Sequence, residues 1–120
     1  MQPRKLGGMS ERSVFELIVA GKLPSTKVFE SDRILGIVPL SAFAPVHFIV
    51  FPKSGEYANV TELAAGDPQL LAELVAAAKT TADEHNGGEY RLVFNNGATV
   101  GQTVFHVHAH VLGGDLEAGL

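Results

Sequence analysis

The sequence predicts a single α+β domain: a five-stranded, mainly antiparallel sheet with an N-terminal helix and one long helix. Three observations predict it. Apolar residues recur at helical or strand spacing in the order helix, three strands, helix, two strands. The connections before residue 52 are too short for parallel crossovers, so they favour hairpin pairing. A length of 120 residues, with 46% hydrophobic and 18% charged content, suits one soluble core.

Each element has its own signal. Residues 1–9 read as a loose tail, and the domain proper spans 10–120. In SERSVFELIVAG the apolar positions 14, 15, 17, 18 and 19 follow a helical pattern, with Ser10 as N-cap and Gly21 as stop. PSTKVFESDRILGIVPL reads as two strands around a Ser31-Asp32 turn, and PVHFIVFPK as a strand bracketed by Pro45 and Pro52. GDPQLLAELVAAAKTTADEHNGG is the clearest helix. Asp67 caps it, Pro68 suits its first turn, and Leu70, Leu71, Leu74, Val75 and Ala78 form one stripe. EYRLVFNNG is then a strand and ATVGQ a glycine-bearing loop. QTVFHVHAHVLGG is the last strand, closed by Gly113-Gly114.

Composition narrows the function. The net charge is −4 and no block of Lys or Arg occurs, which argues against a polynucleotide partner, since phosphate contacts dominate that affinity. A mononucleotide remains compatible, because a few backbone amides hold one phosphate. No apolar run approaches the roughly 20 residues of a membrane span. The basic N-terminus is followed by no signal-peptide core, so a cytoplasmic location is expected. With no cysteine, disulfides and thiol chemistry are excluded.

The chemistry concentrates in the last strand. It carries three of the five histidines, His106, His108 and His110, at every second position. In an extended strand they share one face, while Phe105, Val107, Ala109 and Val111 face an apolar layer. An imidazole row suits a metal site, a nucleophilic or proton-relay site, or a plain polar sheet face. At roughly 3.3 Å per residue, positions 106 and 110 lie about 13 Å apart, which is too far for easy convergence on one Zn²⁺. Two of them with His47 would serve a metal better. For nucleophilic catalysis, an imidazole near its usual pKa is largely neutral at pH 7, and a neighbouring histidine fixes its tautomer or takes its proton. The loop NNGATVGQT runs straight into the row. Gly101 permits close backbone approach and Thr103 offers a hydroxyl, although such a loop also serves as a simple hairpin connection. His47 shares a face with Ile49 and Phe51, so it reads equally as a hydrogen-bonded core histidine.

GQTVFHVHAHVLGG resembles the His-x-His-x-His signature of the histidine triad (HIT) superfamily, in the form carried by its Hint branch. FELIVAGKLPSTKVFESDRILGI, APVHFIVFPK and YRLVFNNG resemble the corresponding family segments, so the likeness runs from about Val14 to Gly114. It implies a HIT-like fold and a homodimeric, nucleotide-binding hydrolase acting on nucleoside 5′-phosphoramidates and related adenylates, without a metal or other cofactor. By the same resemblance His108 is the nucleophile, forming a nucleotidyl-imidazole intermediate. His106 orients it, partly through its backbone carbonyl, and His110 and His47 sit by the phosphate. Gly101, Gln102 and Thr103 hold phosphate oxygens, and Asn95 contacts the ribose-phosphate side of a purine nucleotide. Phe15, Ile18, Leu23, Ile37 and Leu40 wall the base pocket, or equally form ordinary core.

Two departures stand out. Pro39 occupies the position where an aspartate commonly binds the ribose hydroxyls, and proline has neither carboxylate nor N–H. Losing that contact costs on the order of 1.5–3 kcal/mol. The segment GGDLEAGL carries no tryptophan-proline pair of the kind often seen in the Hint branch. These departures favour an alternative, a dimeric HIT-fold module that binds a ligand or protein with little turnover. A third reading is a zinc-binding protein.

Overall fold

The computed structural model of the protein describes residues 13–118. The expected tail at 1–9 and the N-cap expected at Ser10 lie outside them. Helix α1 runs Val14–Val19, and its cap is Ser13: the Ser13 hydroxyl accepts from the Glu16 N–H while Glu16 reaches back to the Ser13 N–H. This reciprocal capping box satisfies two of the free N–H groups at a helix start. The pattern Ser-x-x-Glu fixes the cap here rather than at Ser10.

The sheet has five strands, β1 (Lys27–Glu30), β2 (Ile34–Ile37), β3 (Val46–Pro52), β4 (Arg91–Val93) and β5 (Ala109–Gly113), in the order β1-β2-β3-β5-β4. Every neighbouring pair is antiparallel. β1 and β2 turn at Ser31, whose hydroxyl accepts from the Ile34 N–H at 3.2 Å. Between β3 and β4 lie α2 (Val60–Gly66) and α3 (Pro68–His85). The short α2 is not among the expected elements. Asn59 caps it, accepting from the Glu62 N–H, and Glu62 accepts from the Ala58 N–H. Asp67 ends α2 and caps α3, with Pro68 in the first turn of α3. Arg33 ties the β1–β2 turn to this helix start through Asp67 at 2.9 Å and Glu73 at 2.8 Å.

The sheet separates two apolar layers. On one face α3 buries Leu70, Leu74, Ala77 and Ala78 against Ile34, Phe48, Val50, Val107, Ala109 and Val111. Of the expected helix stripe, Leu71 is only half-buried and Val75 is exposed, and the buried band turns instead toward Ala77, Thr81 and Ala82. On the other face α1 contributes Phe15 to a smaller cluster with Leu35, Ile37 and Phe51. Because β3 pairs Ile49 with His110, the odd-numbered residues of β3 share this second face with the His110 side chain.

The last strand is shorter than the sequence suggests. It begins at Ala109: residues 104–106 bend, and 107–108 follow outside the ladder. The Val107 N–H goes to the Tyr57 carbonyl at 2.9 Å instead of to a neighbouring strand. The alternation survives the bend: Val107, Ala109 and Val111 pack in the α3 layer, and the histidines turn the other way. Phe105 is the exception. It is 44% exposed, not packed in the apolar layer.

Candidate active site

The site forms where β5, β3 and the cap of α1 meet on the second face. Its hydrogen bonds define the tautomers, because carbonyls and backbone amides have fixed roles. His106 is fully buried, with one ring nitrogen, Nε2, 2.6 Å from the Pro52 carbonyl. A carbonyl only accepts, so Nε2 carries the proton. Nδ1 then accepts from the Ser13 hydroxyl at 2.6 Å. His108 places Nδ1 2.8 Å from the His106 backbone carbonyl. By the same logic Nδ1 carries the proton and Nε2 keeps its lone pair. The Phe43 N–H donates to His47 Nδ1 at 2.9 Å, so His47 Nε2 donates in turn to His110 Nδ1 at 3.0 Å. His110 is left with its proton on Nε2.

The rings are close. His108 and His110 have centroids 5.4 Å apart, His110 and His47 5.2 Å. Phe15 meets His106 and His108 edge to face at 5.5 and 4.8 Å, and stacks on Phe51 at 4.4 Å. Burial lowers the pKa of all four histidines below the usual 6.5. For His110, burial and the proximity of His108 and His47 bring it to about 4. For His106 the Pro52 carbonyl and the Glu16 charge oppose the burial effect in part. The imidazoles are therefore neutral at pH 7, as the deduced tautomers require.

The glycine-bearing loop brackets the row. A 3₁₀ turn at Ala98–Val100 ends at Gly101, whose φ of 108° lies in the left-handed region that favours glycine. Asn95 packs beside it: a Cβ built on Gly101 would lie 3.8 Å from the Asn95 side chain. Thr103 is exposed, and neither its N–H nor its hydroxyl has a partner among the described residues. Gln102 behaves differently from the expectation that it touches phosphate. It is 3% exposed, its carboxamide oxygen accepts from the Gly97 N–H, and its NH₂ donates to the Ala58 and Val104 carbonyls. Its own N–H is bound to the Gly97 carbonyl. Gln102 is a clasp for the loop, with no N–H left to donate to a phosphate.

The residues expected to wall a base pocket divide. Phe15, Ile18 and Ile37 come together in the second cluster, where Phe15 is enclosed between Phe51 and the histidines. Leu23 is 38% exposed, and Leu40 projects from the β2–β3 connection wholly into solvent, so it walls nothing in this structure. Four participants escaped the sequence reading: Ser13, Glu16, the Pro52 carbonyl and the Phe43 N–H. The Ser-x-x-Glu pattern could have found the first two; the backbone groups carry no sequence signal. Among the described residues no set of three or more His, Asp or Glu side chains is placed to hold a metal ion, and no helix is long and apolar enough to cross a membrane.

Comparison with known proteins bears on the family and the fold. The profile of the HIT domain matches residues 20–117. An uncharacterized HIT-like protein of Synechocystis sp. is 41% identical over 110 residues, covering 88% of this chain and 93% of that protein. The adenylylsulfatase HINT1 of Arabidopsis thaliana is 32% identical over 106 residues, covering 85% of this chain and 71% of that protein. Among solved structures, a HIT family hydrolase from Clostridium thermocellum superposes with a TM-score of 0.85 at 37% identity, covering 93% of this chain and 98% of the other. A second from Legionella pneumophila gives 0.81 at 36% identity, covering 88% and 95%. A matched profile over most of the chain, with relatives more than 30% identical along most of its length, means that this protein belongs to the HIT domain family.

Proposed function

We propose that the protein is a hydrolase of nucleoside 5′-phosphoramidates or related adenylates that works through a nucleotidyl-His108 intermediate. One observation carries the reading: the His106 carbonyl holds the His108 Nδ1 proton at 2.8 Å, leaving Nε2 free to attack. Attack at phosphorus forms an Nε2–P bond and breaks the bond from phosphorus to the amine, which takes up a proton from solvent water as it leaves, since neutral His110 hydrogen-bonds the departing nitrogen without giving up its own proton. The phosphorylated ring is cationic, and the His106 carbonyl stabilises it by accepting its remaining N–H. Water then attacks phosphorus, the N–P bond breaks to restore neutral His108, and the proton lost by the water returns to solvent as the nucleoside monophosphate leaves, which balances the one taken up by the amine.

The other residues divide the remaining work. His110 presents its Nε2 proton to the phosphate or leaving group, and His47 holds His110 in that tautomer. Gly101 brings backbone close to the phosphate and Thr103 supplies unused donors, while Asn95 beside Gly101 faces the ribose-phosphate side. Ile18, partly exposed over buried Ile37, offers apolar surface to a purine. The adenylylsulfatase among the relatives supports adenylates as a substrate class. The expected setting is a cytoplasmic homodimer.

The test is release of AMP from adenosine 5′-phosphoramidate by wild type and His108→Ala. The variant should lose at least about a thousandfold in kcat. Comparable turnover in both would sink the proposal. Pro39 favours the second reading, a binding module without turnover, because it removes a carboxylate from the ribose side. An analogue lacking the ribose hydroxyls should be hydrolysed nearly as well as the ribonucleotide if the enzyme reading holds. A wild type that binds nucleotide without turnover supports the module.

A further inference from the structure

Ser13 does more than start a helix. Capping α1 needs only a lone pair on the Ser13 oxygen, which accepts the Glu16 N–H at 3.0 Å. The hydroxyl proton is then free, and it is aimed 93 residues along the chain at His106 Nδ1, 2.6 Å away. The other side of the same buried ring is held by the Pro52 carbonyl at 2.6 Å. Ser13 and Pro52 are thus two jaws on one imidazole. Glu16 joins the jaws: its carboxylate accepts from the Ser13 N–H at 3.1 Å and from the Gly55 N–H at 3.2 Å, three residues beyond Pro52. The approach to Gly55 is close, since a Cβ built there would lie 2.7 Å from the Glu16 carboxyl carbon.

We propose that the cap of α1, Ser13 braced by Glu16, is a positioning device for the triad: it locks His106 in one neutral tautomer and so fixes the carbonyl that orients His108. The inference rests on the reading of His108 as the nucleophile. Neither Ser13 nor Glu16 is bonded to His108; both act through His106. Without the hydroxyl proton, His106 Nδ1 is buried and unpartnered. The ring must then rotate, change tautomer or take up a proton, and each response shifts the backbone at 106. His108 loses the acceptor for its Nδ1 proton and populates the tautomer protonated at Nε2, which has no lone pair for attack. The charged and titratable groups facing His106 are Glu16 and His108.

The experiment separates the hydroxyl proton from the cap. Asp caps a helix as well as Ser, but its carboxylate donates nothing and instead attracts a proton onto His106. Ser13→Asp, Ser13→Ala and Ser13→Thr are compared with wild type, by ¹⁵N–¹H spectra of histidine-labelled protein and by kcat and KM on adenosine 5′-phosphoramidate. Wild type should show His106 protonated on Nε2 and His108 on Nδ1. In Ser13→Asp, His106 should become imidazolium at pH 7 and His108 a mixture of tautomers, with kcat down roughly ten- to hundredfold and KM little changed. Ser13→Ala should lose kcat likewise, and Ser13→Thr, which keeps cap and proton, should restore it. If Ser13→Ala does not fold, Ser13→Asp carries the test. Folded variants that keep the wild-type tautomers overturn the inference, as do shifted tautomers with kcat within twofold of wild type. A wild type without turnover defeats the proposed function alone, and the histidine spectra then decide the positioning role by themselves.

Discussion

Gln102 shows how one side chain sets the site without touching it. Its carboxamide bridges Gly97, Ala58 and Val104, which fastens the loop before the histidines to the segment before α2. Gln102→Ala leaves the part-buried Gly97 N–H and the Ala58 and Val104 carbonyls without their partner, so it should cost about 2–3 kcal/mol in thermal unfolding and raise KM more than it lowers kcat. A stability unchanged within error would mean the clasp is dispensable. The histidines make a second prediction at this scale. On the proposed mechanism His108 must be neutral to attack, and burial lowers its folded pKa below 6.5. Activity should therefore be full above 6.5 and fall only as the pH drops through that lowered value. A kcat/KM profile whose acid limb lies above 6.5 would contradict the buried geometry. The shared face of His106, His108 and His110 was legible from their spacing alone. Their tautomers were not, because the Pro52 carbonyl, the His106 carbonyl and the Phe43 N–H become partners only through tertiary packing.

Among the elements, the loop from β4 to β5 depends most on its backbone. Gly101 holds φ at 108°, yet a Cβ there would meet only ordinary contact at 3.8 Å from Asn95. Gly101→Ala should therefore cost about 1–2 kcal/mol through conformation rather than collision. The measurement is the denaturant midpoint with an unchanged m-value. A variant as stable as wild type would show that the loop relaxes freely. The long helix was legible because Asp67, Pro68 and the leucine stripe agree, and β1, β2 and β3 because their turn and proline signals agree. α2 was hidden by its seven residues, although Asn59 and Glu62 form a visible cap pair. The histidine strand was overextended for a physical reason. Periodicity records which face a side chain takes, and a segment such as 104–108 keeps that alternation while leaving the ladder.

Across the whole molecule, the strand order leaves β1 and β4 at the two edges of the sheet. An edge presents unpaired backbone groups, and proteins either blunt it or use it. β1 is blunted: its register shifts between Lys27 and Phe29, and its exposed ends carry Lys27 and Glu30, with Lys53 also drawn to Glu30 at 2.8 Å. β4 pairs with β5 in continuous register, and its three residues are half-buried. Its one charged side chain, Arg91, turns to the Glu117 carbonyl at 2.8 Å instead of guarding the edge. Two copies related by a two-fold axis could pair β4 with β4 and continue the sheet from one to the other. Such a contact joins the strands next to the two β5 segments, so each His110 gains support from a sheet twice as wide. The prediction is a dimer in sedimentation equilibrium at micromolar concentration, with a melting temperature that rises with protein concentration. A monomer at micromolar concentration, with a melting temperature independent of dilution, would remove β4 as an association edge and leave each site to be completed within one chain.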